Sequence, residues 1–288
     1  MSPSPVLSVL IANWNTRTLL QSLLRSLQAH PPSVSHEIIV VDNGSIDGSA
    51  DMVRGEFPLI RLMSNERNRG YAAAHNQAAA IAQGEFLLLL GSDTAVLGRS
   101  VQSMVDYITS HLEVGAVTCR LLNPDHSVQQ SCRRFPTLLD AVATYLSLHM
   151  MARRYNIADF DFYRTQEVEQ PAATCLMIRR SIFGKIGLFD ERLAILYNDV
   201  DLCHRLLSAG WKIVYLADAE VLHYGSQSTK RATPEVRLEM YRNVLVYYFR
   251  RFGTMALILL LPILAVRLAI LNRGKCVGGL FSSHYLSS

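Results

Sequence analysis

The stretch ILYNDVDLCHRLLSAGW (195–211) sets two carboxylates, Asp199 and Asp201, beside an apolar run and ends in Ala-Gly-Trp. Acids so placed can take a proton, hold a cation, or sit solvated in the first turn of a helix, where the N-terminal dipole favours them. The spacing separates the two. A helix from about Asp199 to Ala209, with Asn198 as N-cap and Gly210 as its stop, puts Asp201 about 200° around the axis from Asp199. They cannot share one task, and a helix N-terminus keeps Asp199 ionised, as a base at neutral pH requires.

The elements that would position such an acid are legible upstream. Apolar, β-branched runs recur as VLSVLIA (6–12), EIIVV (37–41), LIRLM (59–63) and EFLLLL (85–90), with helix-like TLLQSLLRSLQAH (18–30) and AAAHNQAAAIAQ (72–83) between them. Alternation at this spacing predicts βαβ units, a mostly parallel sheet and an α/β fold. Ligands of such sheets bind beyond the carboxyl ends of the strands. There the chain carries Asn13-Trp14-Asn15, Asp42-Asn43-Gly44-Ser45 and Gly91-Ser92-Asp93-Thr94. Asn15 reads equally as part of a pocket or as the cap of the helix near Thr18. Further strands are expected at 115–123, 174–180 and 211–217. Residues 124–171 read as a long, partly helical loop or lid holding Arg133 and Arg134.

Five segments in order, VVDNGSIDGS (40–49), NERNRGYAAAHNQA (65–78), LLLGSDT (88–94), LFDERLAILYNDVDLCHRLLSAGW (188–211) and VLHYGSQST (221–229), resemble the family 2 glycosyltransferases. The likeness is to their rhamnosyltransferase-like branch of bacterial surface polysaccharide synthesis and covers about residues 6–250. It implies a GT-A fold, a nucleotide-sugar donor, a divalent cation (Mg²⁺ or Mn²⁺) and inverting transfer. Asp93 matches the last residue of the family's D-x-D or N-x-D turn and is the expected metal ligand, with Gly91 at the first position. Asp42 matches the position that recognises base or ribose, with Asn13, Asn15 and Ser92 beside it. His223 resembles a histidine that closes the metal site or touches the diphosphate, and Arg133 is a candidate diphosphate contact. Asp199 falls where the catalytic base is expected, Asn198 where the family usually has Glu, and Leu193-Ala194 where it often has aromatics. The chemistry agrees: direct displacement at an anomeric carbon needs a carboxylate base on one face and charge stabilisation of the departing diphosphate on the other. The alternative is a catalytically weak GT-A-fold scaffold or glycan-binding protein.

Composition bounds these readings. The chain has 288 residues, 50% hydrophobic and 18% charged, enough for a substantial core and unlike a disordered protein. Its five scattered cysteines lack any C-x-x-C pair, which argues for a reducing cytosol, and no basic region precedes the first apolar run as a signal peptide would require. Of the net +4, residues 230–288 carry +7, nine Lys/Arg against two Glu, leaving −3 on residues 1–229. The expected division is a GT-A domain over 1–229, with a nucleotide-sugar half (1–123) and an acceptor half (124–229), then a basic apolar tail over 230–288. Within that tail MALILLLPILAVRLAIL (255–271) is short for a span and interrupted by Pro262 and Arg267, so an interfacial helix is favoured. The expected partners are a nucleotide-diphosphate sugar, a lipid-linked glycan acceptor and the cytoplasmic face of a bacterial inner membrane. No nucleic acid is expected, since the tail is aliphatic more than aromatic.

Overall fold

The computed structural model describes residues 5–146, 157, 160–225 and 234–281. Strands β1 (Leu7–Asn13), β2 (His36–Asp42), β3 (Arg61–Ser64) and β4 (Phe86–Gly91) pair in parallel in the spatial order β3-β2-β1-β4. Their crossovers are α1 (Arg17–Ala29), α2 (Ser49–Glu56) and α3 (Tyr71–Ile81). The other half of the sheet is mixed. β10 (Cys175–Arg179) runs antiparallel between β4 and β6 (Val114–Leu122), and β11 (Lys212–His223) lies parallel to β6. β5 (Thr94–Val96) closes the edge, antiparallel to β11, which β8 (Gln166–Glu167) also joins. β7 (Cys132–Arg133) and β9 (Gln170–Pro171) form a separate pair.

Strand alternation sorts the side chains into two cores. Leu7, Val9 and Ile11 of β1, with Leu88 and Leu90 of β4, face α1, α2 and α4 (Ser100–Ser110). Leu10, Leu87 and Leu89 face α3, α6 (Arg180–Ile186) and α7 (Asn198–Ser208) on the other side. Helix α1 shows how sequence fixes this. Its buried Leu20, Leu23, Leu24 and Leu27 fall on one stripe at helical spacing, each contributing about 1.5–3 kcal/mol by burial.

The predicted strands and the α1, α3 and α7 helices are present within a few residues; α2, α4 and β5 lacked a clear pattern. β11 continues to His223, past the expected end at 217. A register shift between Leu216 and Glu220 breaks the alternation there, which hides the second half from pattern reading. Within 124–171, α5 (Leu138–Tyr145) starts at a Thr137–Asp140 capping box, and much of the expected lid (147–156 and 158–159) lies outside the described residues.

Two helices follow: α8 (Pro234–Phe252) and α9 (Thr254–Phe281). They do not stand apart from the rest. Val244, Tyr247 and Tyr248 of α8 and Ala256, Leu260 and Leu264 of α9 build a third core with Ala141, Leu193 and Val200. Arg250 ion-pairs with Asp190 and lies 3.9 Å from Asp201, which also binds Arg205 at 2.8 Å. The apolar run of α9 is thus divided by face: one stripe is core, while Met255 (58% exposed) and Ile258 (68%) lie on the surface with Leu259, Leu261 and Val266. Among the described residues no helix is long and apolar enough to cross a membrane.

Candidate active site

Parallel pairing brings the strand ends to one edge, with Asn13 opposite Asp42 and Ala12 opposite Gly91. A cleft of about 810 Å³ opens there, a size suited to a small-molecule ligand. Asn13, Asp93, Arg133, Asp199 and His223 line it, together with Trp14, Arg69, Tyr71 and Glu239. Asn15, Asp42 and Ser92 do not.

Those three belong to a network behind the wall. Asp42, 3% exposed, accepts from Asn13 Nδ2 (2.8 Å) and from the Ser45 N–H (3.1 Å). Thr16 Oγ1 donates to Asn13 Oδ1 (2.7 Å) and shares a hydrogen bond with Ser92 Oγ (2.9 Å). Asn15 is not the helix cap. It sits at φ 52° and its Oδ1 accepts from the Ile46 N–H (2.9 Å), tying the β1 turn to the β2 turn, while Thr16 occupies the N-cap position of α1.

The β5–β11 ladder explains how two distant residues meet. His223 pairs with Thr94, and the Tyr224 N–H donates to Asp93 O (2.9 Å), so His223 Nε2 lies 3.5 Å from Asp93 Oδ2. Gln129 sets the tautomer. Its Nε2 donates to Asn123 Oδ1 and His223 O (both 2.7 Å), so its Oε1 must accept from His223 Nδ1–H (2.8 Å). Nε2 then faces Asp93, and in the neutral ring it carries the lone pair. Two donors bound to one ion at adjacent positions, each at about 2.1 Å, stand about 3 Å apart, so this pair fits a divalent cation. Among the described residues no group of three His, Cys, Asp or Glu could hold a metal. A Cβ at Gly91 would lie 3.1 Å from Asp93 Oδ1, so that the carboxylate would shift by a few tenths of an ångström to admit it. Gln129 escaped sequence reading because nothing local links it to a histidine 94 residues away. Gln129→Ala is expected to weaken divalent-cation binding by about 10–100-fold, as loss of an orienting partner does; calorimetric titration with Mn²⁺ in the presence of nucleoside diphosphates checks this.

Asp199 stands in the first turn of α7, but the helix begins one residue earlier than expected. Tyr197 is the N-cap residue, at φ 63°, and Asn198 is already helical. Asn198 caps nothing from outside: its Oδ1 accepts from the Asp199 N–H (2.7 Å), while its Nδ2 is buried without a partner among the described residues. An unsatisfied buried donor costs about 1–3 kcal/mol. Asp199 Oδ1 accepts from the Val200 N–H (2.8 Å); Oδ2 lies 3.5 Å from Gln170 Nε2. A helix N-terminus favours the ionised form, but burial raises the pKa of Asp199, outweighing the Val200 amide, Arg133 and the Ala173 amide. Tyr71 lies within electrostatic reach of both acids. Burial first, then the charges of Asp199 and Asp93, push its phenol far above the usual value, and its OH donates to Ala173 O (2.8 Å).

Comparison with known proteins bears on the family and the fold. A family model described as glycosyl transferase family 2 matches residues 8–187. An N-acetylglucosaminyl-diphospho-decaprenol L-rhamnosyltransferase of Mycobacterium tuberculosis is 31% identical over 244 residues, 78% of either chain. The rhamnosyltransferase WbbL of Escherichia coli is 22% identical over 170 residues, 56% of this chain and 63% of its own. Among solved structures, S. aureus TarS 1–349 in complex with UDP shares the fold at TM-score 0.54 and 19% identity, over 90% of this chain and 70% of that one. GalNAc-T7 with UDP, GalNAc and Mn²⁺ does so at TM-score 0.57 and 16% identity, over 77% of this chain and 44% of that one. The sheet and its flanking helices are of the GT-A type, and the chain is a glycosyltransferase that belongs to glycosyl transferase family 2.

Proposed function

We propose that this enzyme transfers L-rhamnose, with inversion, from a dTDP donor to a lipid-linked glycan acceptor whose first sugar is N-acetylglucosamine. The observation that carries the reading is the 31% identity to the M. tuberculosis L-rhamnosyltransferase across 78% of both chains. Asp199 takes the proton of the attacking acceptor hydroxyl as the new C–O bond forms at the anomeric carbon and the bond to the diphosphate breaks. Its raised pKa makes it a stronger base than an ordinary carboxylate. Asp93 and His223 would hold Mg²⁺ or Mn²⁺, with diphosphate oxygens filling the remaining positions, in keeping with a cation that binds few protein groups plus substrate phosphates. When bound, that ion neutralises charge on the departing diphosphate. Arg133 adds positive charge at the cleft wall; the Asp42–Asn13–Ser92 network holds the nucleotide-side strand ends rigid.

The reaction takes place at the cytoplasmic face of a bacterial inner membrane. The exposed apolar face of α9 and the adjoining, exposed Arg251 support a membrane surface, since an apolar stripe with a flanking cation suits an anionic lipid surface. Anionic vesicles are expected to float the enzyme, and Met255→Glu with Ile258→Glu to abolish flotation; unchanged flotation would remove this face from membrane binding. The reaction itself is tested with purified enzyme, a polyprenyl-diphosphate N-acetylglucosamine acceptor, and dTDP-rhamnose beside UDP- and GDP-sugars. Transfer only from dTDP-rhamnose, with the anomeric configuration inverted by NMR, is expected. Retention, or preference for another donor, would refute the proposal.

A further inference from the structure

We infer that Asn243, on α8, is a positioning residue for the transfer: it fixes the 192–197 segment and, through it, the carboxylate of Asp199. This rests on the reading of Asp199 as the base. Asn243 is 0% exposed, and its carboxamide is fully engaged. Oδ1 accepts from the N–H groups of Ile195 (2.8 Å) and Leu196 (3.0 Å); Nδ2 donates to Arg192 O (3.1 Å) and Glu239 Oε1 (2.9 Å). One side chain thus satisfies three backbone groups of an irregular segment whose Ala194, Ile195 and Leu196 form part of the cleft wall.

The segment needs such a hold. It ends at Tyr197 with φ 63°, a left-handed conformation that costs a non-glycine residue about 1–2 kcal/mol. Tyr197 is kept there by α8 as well, stacked on Tyr247 (centroids 4.7 Å apart) and edge-on to Tyr248 (5.6 Å). Only Asn198 separates it from Asp199. On the opposite side the Tyr71 N–H donates to Ala194 O (2.9 Å), and a Cβ on Gly70 would approach Ala194 Cβ to 2.9 Å. The approach to Asp199 is therefore gripped between the start of α3 and α8. The α8 grip comes from residues beyond 8–187, the span of the family match. A helix that merely covered the core could carry an aliphatic side chain at position 243, as it carries Val244; an amide reads the loop backbone.

The test compares kcat, acceptor KM and dTDP binding in the full chain for Asn243→Ala, Asn243→Asp, Glu239→Gln and the double change Asn243→Asp/Glu239→Gln. Val244→Ala and Asp199→Asn serve as references, all assayed well below their melting temperatures. Misplacing a base by about 1 Å lowers rate about 10²-fold, so Asn243→Asp is expected to lose kcat on that scale with dTDP affinity intact. The double change is expected to recover most of it relative to Glu239→Gln alone. The carboxylate introduced at 243 still accepts from the loop amides, and the amide introduced at 239 donates to it. Val244→Ala is expected to lower the melting temperature and leave kcat alone. Folded Asn243 variants with wild-type kcat, or a Val244→Ala variant that loses kcat equally, would reduce Asn243 to a stabilising residue. Retained activity in Asp199→Asn would instead overturn the base assignment.

Discussion

Asp199→Asn is expected to lower kcat by about 10²–10⁴-fold, the usual worth of a general base, while dTDP still binds with its metal dependence intact. The amide keeps the shape and can accept the Val200 N–H that Asp199 Oδ1 accepts at 2.8 Å, but it cannot take a proton. Two further observables follow from the raised pKa. Only the ionised form is a base, so kcat/KM falls as pH drops through the raised value, and the acidic limb lies above the ordinary carboxylate value of 3.8. Stability moves the other way. Because the folded state binds the proton more tightly than the unfolded chain, the contribution of Asp199 to stability falls as pH rises from the ordinary pKa through the raised one. Above the raised value the full penalty applies, so there the Asn variant is expected to melt higher than wild type. A variant that is inactive and also less stable would point to a structural acid.

Asp93→Ala is expected to abolish the enhancement of dTDP binding by Mg²⁺ or Mn²⁺ and to lower transfer by at least about 10²-fold, since a metal ion at a phosphoryl leaving group supplies several kcal/mol. His223 alone, 3.5 Å from that carboxylate, offers one nitrogen and no charge to offset the cation. Calorimetric titration with and without metal, beside chelation of wild type, checks this. Metal-independent binding of equal strength in wild type and Asp93→Ala would remove the cation from the site. Asp93 and Asp199 are distinguishable because one variant loses metal-coupled binding and the other only turnover.

Much of the site was open to inspection before any coordinate. The strands are apolar runs because they are covered on both faces, and the small polar residues after them collect at one edge because parallel strands end together. Asp93 and Asp199 stand out for the same reason: an acid after a buried strand, or at a helix start, is a local pattern. His223 is visible as a histidine near a strand end, but the strand pattern stops at 217 while the strand itself runs to His223. The bulge after Leu216 hid its last turn of pairing with β5.

What the sequence could not express is pairing at a distance. Asn15 and Asn198 look like caps in a local reading, yet their side chains serve a neighbouring turn and the Asp199 amide, because the backbone at residues 15 and 197 turns left-handed under contacts from elsewhere. The apolar run 255–271 reads as one membrane-facing stretch. Three-dimensional packing divides it, one stripe entering a core with α5 and α8 and the other left exposed. Sequence by itself determined the family and the parallel half of the sheet and singled out the acids as candidates, since each depends on residue type and short-range periodicity. The tertiary structure alone decided that Gln129 orients His223, that burial raises the pKa of Asp199, and that the α8 helix grips the loop before it. Those depend on which surfaces meet and how much water is excluded, quantities no local pattern encodes.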